Sequence, residues 1–263
     1  MCRFISYFSN EAIVLDELLE KPTNSLIKQS HAARDGKSGL NADGFGIAWY
    51  NFSINQEPGI FKSTQPAWND TNLKHIATHI KSPCFLAHVR AATVGDVNQN
   101  NCHPFVYDQY SLVHNGTIKN FHKYRRKLID TIDENLFLEI QGNTDSEHFF
   151  FLIMHFIKHN HSLEISLQKA IQWILAIQED KNDIIKLNIT ITNGNEIIAT
   201  RFTSDNAAPL SLYYKSYLNG DEIKSLIISS EILDDQDHQW HEVPINSYIH
   251  FRKGHKNIQI TSI

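Results

Sequence analysis

The sequence predicts an α+β fold in which sheets and helices pack in layers within one domain. Three observations predict it. The chain opens on a short apolar strand, its middle third carries two long amphipathic helix patterns, and its last third is a run of short strands rich in Ile and Thr. With 263 residues it can bury one large core or two small ones. No repeat, low-complexity tract or linker divides it, so a single domain over residues 1–263 is expected.

The elements follow in order. CRFISYF favours a strand. EAIVLDELLEK places Ile13, Leu15, Leu18 and Leu19 at helical spacing, with Pro22 behind it. NSLIKQS leads into the polar, Gly-bearing stretch 31–44, expected as a surface loop, and then GIAWY reads as a strand. WNDTNLKHIATHI reads as a helix capped by Asn69 or Asp70. PCFLAHVRAAT is a buried strand running into a loop, and YSLVHNG a strand ending in a turn at Asn115-Gly116. NFHKYRRKLID, NTDSEHFFFLIMHFIKH and SLEISLQKAIQWILAIQ read as helices, the second opening on capping residues. IIKLNITITNG, NEIIATRFT, PLSLYYK, SLIISSE and SYIHFRK are strands, with a hairpin signal at Asn193-Gly194.

Composition narrows the function classes. A formal net charge of -5 and the lack of a basic run argue against a nucleic-acid or anionic-membrane partner. The most apolar window, FFFLIM (149–154), is too short and too interrupted by His148, His155 and Lys158 to span a bilayer. No secretory signal pattern is visible, and Cys2, Cys84 and Cys102 cannot form a disulfide framework. A reducing, cytoplasmic setting is expected.

Five polar islands interrupt the apolar pattern. The first is Cys2. A strand core accepts a cysteine readily. If Met1 is removed, however, a thiol and a free α-amine share one residue, and that amine can serve as the thiol's base. The second, NADGFG (41–46), lacks GxGxxG or Walker A spacing, so no nucleotide is assigned. The third is HVRAATVG (88–95) with NCHPF (101–105). Arg90 there is either a satisfied edge arginine or a clamp on a substrate carboxylate. The fourth, HNG (114–116), is a turn former that could also supply an amide and a backbone N–H to an oxyanion. The fifth is NTDSE (143–147). Thr144 or Asp145 caps a helix there, or Asp145 receives a substrate ammonium. Cys2, His88, Cys102, His103 and His114 lack Cys-x2-Cys or His-Glu-x-x-His spacing, so no metal and no cofactor are expected.

Taken in order, the N-terminal Cys, HVRAAT-x-G, N-x-HPF, HNG and TDSE resemble the class II glutamine amidotransferases of the N-terminal nucleophile hydrolase superfamily. MCRFISYF, SLIKQS, NADGFGIAWY, PAWND, AHVRAAT and IISSEILDDQDHQWHEVP are similar to its stand-alone branch. That branch holds bacterial glutamine amidotransferase-like proteins and γ-glutamyl hydrolases of the ergothioneine and glutathione-degradation type. The resemblance spans essentially the whole chain. It implies a four-layer αββα sandwich with the site at the sheet edge. It implies Cys2 as nucleophile, Asn115 and Gly116 as oxyanion pair, Arg90 on the glutamine α-carboxylate and Asp145 on the α-ammonium. Thr93 and His103 would line or brace the substrate site, with Asn41, Asp43 and Gly44 nearby. The sugar-phosphate synthase members read HTRWATHG where this chain has Ala91 and Val94, a change the stand-alone branch shares.

The resemblance implies hydrolysis of glutamine or a γ-glutamyl small molecule through a Cys2 thioester, releasing glutamate and either ammonia or an amine. Ammonia could pass to a separate synthase or hydrolase subunit. The alternative from another class is a non-catalytic γ-glutamyl or amino-acid binding protein, with Met1 retained over Cys2.

Overall fold

A computed structural model describes residues 2–35, 39–205, 209–220, 222–236 and 238–263. Met1, whose loss the nucleophile reading requires, lies outside the described residues, as do residues 36–38 of the expected loop.

Two antiparallel sheets form the centre. The first contains β1 (Arg3–Val14), β2 (Phe45–Trp49), β3 (Gly59–Ser63), β4 (Lys81–Val89), β9 (Tyr213–Asn219), β10 (Glu222–Ser229) and β11 (His241–Glu242), in the order β11-β9-β10-β1-β4-β2-β3. The second contains β5 (Phe105–Tyr107), β6 (Tyr110–Ile118), β7 (Ile185–Thr192), β8 (Glu196–Arg201), β12 (Ser247–Arg252) and β13 (Gln259–Ser262), in the order β13-β12-β8-β7-β6-β5. The helices are α1 (Asp16–Leu19), α2 (Leu26–Ala32), α3 (Thr71–His79), α4 (Arg125–Thr131), α5 (Glu134–Phe137), α6 (Asp145–Lys158) and α7 (Leu163–Ile177).

Strand alternation sorts the apolar side chains into three layers of core. Ile5, Tyr7, Phe85 and Ala87 face outward from the first sheet and bury Leu19, Leu26, Ile27 and Leu73 of α1, α2 and α3. Phe4, Phe8, Leu86 and Leu226 face inward and meet Val113, Ile197, Ala199 and Ile249 of the second sheet. Leu112, Ile118, Leu187 and Ile189 face the other way and pack on α4, α6 and α7. Helix, sheet, sheet, helix is the four-layer αββα order the resemblance implied. FFFLIM is apolar all round because α6 is buried along its first ten residues, from Asp145 to Met154. No helix of the described residues is long and apolar enough to cross a membrane.

Several local expectations are corrected. EAIVLDELLEK is helical only over α1. Ile13 and Val14 extend β1 and pair with Ser82 and Lys81 past an irregularity after Phe8, a context that suits β-branched side chains. Asn115-Gly116 is not a turn: both residues lie inside β6, paired with Asn188 and Leu187 of β7. The stretch 31–44 is only partly surface, since Asn41 is buried and donates from Nδ2 to Gln29 O. The short elements β3, β5, α5, β11 and β13 carry too little periodicity to be read from sequence.

Candidate active site

The same alternation aims the site residues. Cys2 precedes β1 on the face of Phe4 and Phe8, and His88 and Arg90 continue the face of Cys84 and Leu86. Asn115 shares the face of Val113 on β6. All four therefore turn toward the gap between the sheets, at the end where Arg3 pairs with Val89. His88 closes that gap: its Nε2 donates to His114 O at 3.1 Å, joining β4 to β6 one residue before Asn115.

Cys2 is half-buried. Its Sγ accepts from Ala91 N–H at 3.4 Å, and the thiol also lies 3.4 Å from Ala91 O. Burial pushes the thiol pKa up. The Ala91 hydrogen bond and the Arg90 charge pull it down, and Asp145 pushes it up. Arg90 and Asp145 thus both act electrostatically on the thiol.

Arg90 is 2% exposed, and its guanidinium donates to the carbonyls of Val94, Gly95 and Asp96 at 3.0–3.3 Å. Among the described residues no carboxylate lies within ion-pair distance of it. Its own backbone is fixed by the NADGFG loop: Arg90 N donates to Gly44 O, Asp43 N donates to Arg90 O, and Ala92 N donates to Asp43 Oδ2 at 2.8 Å. Gly44 is required there. It sits at φ +105°, and a Cβ would come 2.6 Å from Cys102 Sγ and 2.7 Å from Ser63 O.

Asp145 is buried at the start of α6. Thr144 takes the capping role, its Oγ1 accepting from Glu147 N at 3.2 Å. The Asp145 carboxylate is thereby left to accept from Ile118 N at 2.7 Å and Ser146 N at 2.8 Å. Lys119 N bonds Ile184 O toward β7, so the N–H groups of Ile118 and Gly116 face the opposite edge. Asn115 is buried, its side chain makes no hydrogen bond to described residues, and its Oδ1 is fully enclosed. Such an orphaned amide is rare in a folded interior.

The two residues expected to line or brace the site differ in burial. Thr93 is exposed in the loop after β4 and makes no hydrogen bond to described residues. His103 is buried against His88, with ring centroids 4.1 Å apart and neither ring nitrogen hydrogen-bonded to described residues. Burial holds His103 well below its usual pKa and takes His88 down to about 3, so both rings are neutral.

Three residues are more deeply involved than their motifs suggested. His88 bridges the sheets. Ser146 Oγ bonds His114 Nδ1 at 2.8 Å. Asn101, fully buried, donates to Asp96 O and Asn143 Oδ1 and accepts from Asn143 N, tying the Arg90 loop to the start of α6. The only sequence signal for Asn101 is its place in NCHPF beside His103.

Comparison with known proteins identifies the family. The family described as glutamine amidotransferases class-II matches residues 19–215, a span that begins after Cys2 and includes Arg90, Asn115, Gly116 and Asp145. A probable glutamine amidotransferase of Saccharomyces cerevisiae is 31% identical over 96% of this chain and 82% of its own. A gamma-glutamyl-hercynylcysteine sulfoxide hydrolase of Mycolicibacterium smegmatis is 26% identical over 97% of each chain. Among solved structures, a glutamine aminotransferase class-II domain protein from Silicibacter pomeroyi superposes with a TM-score of 0.73 over 99% of both chains at 24% identity. Glutamine phosphoribosylpyrophosphate amidotransferase from B. subtilis does so at 0.63 and 14% identity, over 99% of this chain and 49% of that one. With the fold, the family match and a full-length relative in agreement, the chain belongs to the class II glutamine amidotransferases and is an enzyme of that family.

Proposed function

We propose that the chain hydrolyses the γ-amide of glutamine or of a γ-glutamyl compound through a thioester on Cys2, as a single domain in a reducing, cytoplasmic setting. One observation carries this reading: among the described residues, a buried arginine with no carboxylate in ion-pair distance and a buried aspartate with no cation in ion-pair distance both act on one thiol. Uncompensated buried charges are costly. An α-amino acid supplies both counter-charges, its carboxylate to Arg90 and its ammonium to Asp145.

The thiol pKa is raised, so Cys2 needs a base. Among the described residues no side chain hydrogen-bonds its sulfur; only the Ala91 backbone does. The base is then the α-amine of Cys2 itself, once Met1 is removed, with a pKa of roughly 8. The amine takes the thiol proton, and the sulfur attacks the side-chain amide carbon. The oxyanion accepts hydrogen bonds from Asn115 Nδ2 and Gly116 N–H. The ammonium returns its proton to the leaving nitrogen as the C–N bond breaks. Water, deprotonated by the same amine, then cleaves the thioester and releases glutamate and free thiol. Thr93 and His103 border this site without a step of their own.

The leaving group is ammonia, used at once or passed to a separate subunit, or the amine of a γ-glutamyl metabolite. The match to a γ-glutamyl hydrolase over 97% of each chain supports the amine. Protein whose intact mass shows Cys2 as first residue is assayed with glutamine and with several γ-glutamyl amides, ammonia and glutamate both being measured. Glutamate release is expected from at least one substrate, falling at least about a thousandfold in Cys2→Ala. Parental turnover by Cys2→Ala would refute the role of Cys2.

A further inference from the structure

At the far end of α6 from Asp145, three side chains that the hydrolysis reading does not use converge. His155 lies in the last turn of α6, His159 caps the helix, and Asp133 precedes α5. Their ligand atoms lie within 4.8 Å of one another. His155 Nδ1 is buried, makes no hydrogen bond to described residues, and sits 3.4 Å from Asp133 Oδ2. His159 Nε2 sits 3.4 Å from Asp133 Oδ1, and the two imidazole centroids are 4.5 Å apart.

These separations are long for N–H···O hydrogen bonds, which cluster near 2.9–3.0 Å. The two contacts fall on different oxygens of Asp133, so its carboxylate faces both imidazoles and offers an oxygen to an ion held between them. Residues four apart on a helix present their imidazoles on one face. The C-terminal end of a helix also favours a cation, through its unpaired carbonyls and dipole. Two imidazoles and one carboxylate form a borderline donor set, suited to zinc and its neighbours rather than to magnesium or calcium. His155 is largely enclosed, whereas Asp133 and His159 reach solvent, which leaves the remaining coordination positions to water.

We propose that Asp133, His155 and His159 form a site for a divalent transition-metal ion of the zinc class, one per chain, separate from the thiol site. The ion clips the start of α5 to the end of α6. It lies about 15–20 Å along α6 from Asp145, by the rise of 1.5 Å per residue. The cysteines and central histidines carry no metal-ligand spacing; His155-x3-His159 does, and it corrects the expectation of no metal.

The test uses the full chain carrying Cys2→Ala, which removes a thiol that could bind zinc elsewhere. Metal-free protein is titrated with zinc against a chromophoric chelator, and thermal unfolding is followed with and without zinc. One zinc per chain is expected, with a zinc-dependent rise in the unfolding midpoint. In His159→Gln, an exposed position that leaves the core intact, and in Asp133→Asn, affinity drops at least about tenfold and the midpoint no longer responds. Absence of zinc binding by the parent, or unaltered binding by both variants, overturns the proposal. Neither result bears on the hydrolysis reading, whose assay uses other residues.

Discussion

Arg90 is the side chain whose surroundings say most about the ligand. Its guanidinium is positioned by three loop carbonyls and meets no carboxylate among the described residues. Loss of a charge-assisted hydrogen bond costs about 1.5–3 kcal/mol, or roughly 10–100-fold in an equilibrium. Arg90→Gln is therefore expected to raise KM by about 10–100-fold for a substrate with a free α-carboxylate. It should cost much less for the same substrate with that carboxylate amidated. Equal losses for both substrates, read from steady-state kinetics, would mean that Arg90 only holds its loop. Cys2, Arg90 and Asp145 were legible in sequence because each offers a strong group in an unusual place. His88, Ser146 and Asn101 were not, because their partners lie 26, 32 and 42 residues away, contacts that only the fold creates.

Strand β6 is the element in which local sequence misled most. Asn-Gly is a turn former in isolation, yet here it continues a ladder with β7. Ladder pairing over eight residue pairs outweighs the weak turn preference of two. Glycine serves a different need at this position. A Cβ on Gly116 would lie 2.0 Å from Lys186 O and 2.3 Å from His114 Nε2. The first clash is with backbone, which cannot swing aside. Gly116→Ala is expected to lower stability by at least about 2 kcal/mol, seen as a fall in the urea midpoint. An unchanged midpoint would show that β6 has room there. EAIV shows the converse: its apolar spacing suits a helix, yet its residues extend β1 and Ile13 and Val14 pair with β4. Helices α3, α6 and α7 were legible because each has a serine, threonine or aspartate cap and a long periodic face.

The whole molecule buries several neutral histidines at and around the sheet–sheet seam. Burial lowers His88 to about 3 and His148 to about 4, and takes His103 well below its usual value. The unfolded chain protonates these rings near pH 6.5, whereas the folded one does not. Below pH 6.5 the unfolded state therefore binds more protons, and stability falls as pH falls. The loss runs from about 6.5 down to about 4 for His148 and about 3 for His88. Each ring contributes about 1.4 kcal/mol per pH unit within its window. Urea midpoints should drop steadily from pH 6.5 to 4.5; a flat profile over that range would contradict this account of the seam. Sequence showed alternating strands and amphipathic helices, enough for a layered α+β class. The four-layer order came from the resemblance alone, because no segment encodes which sheet its inner face will meet.

The central claim is that Cys2, as the first residue of the processed chain, carries the γ-glutamyl group. The most direct measurement treats trimmed protein with a glutamine analogue bearing an electrophile at its γ-carbon, then locates the adduct by peptide mass spectrometry. The account predicts one adduct, on the N-terminal peptide at Cys2, blocked by excess glutamine or γ-glutamyl substrate and absent when Met1 is retained. An adduct at Cys84 or Cys102 with Cys2 unmodified would contradict it.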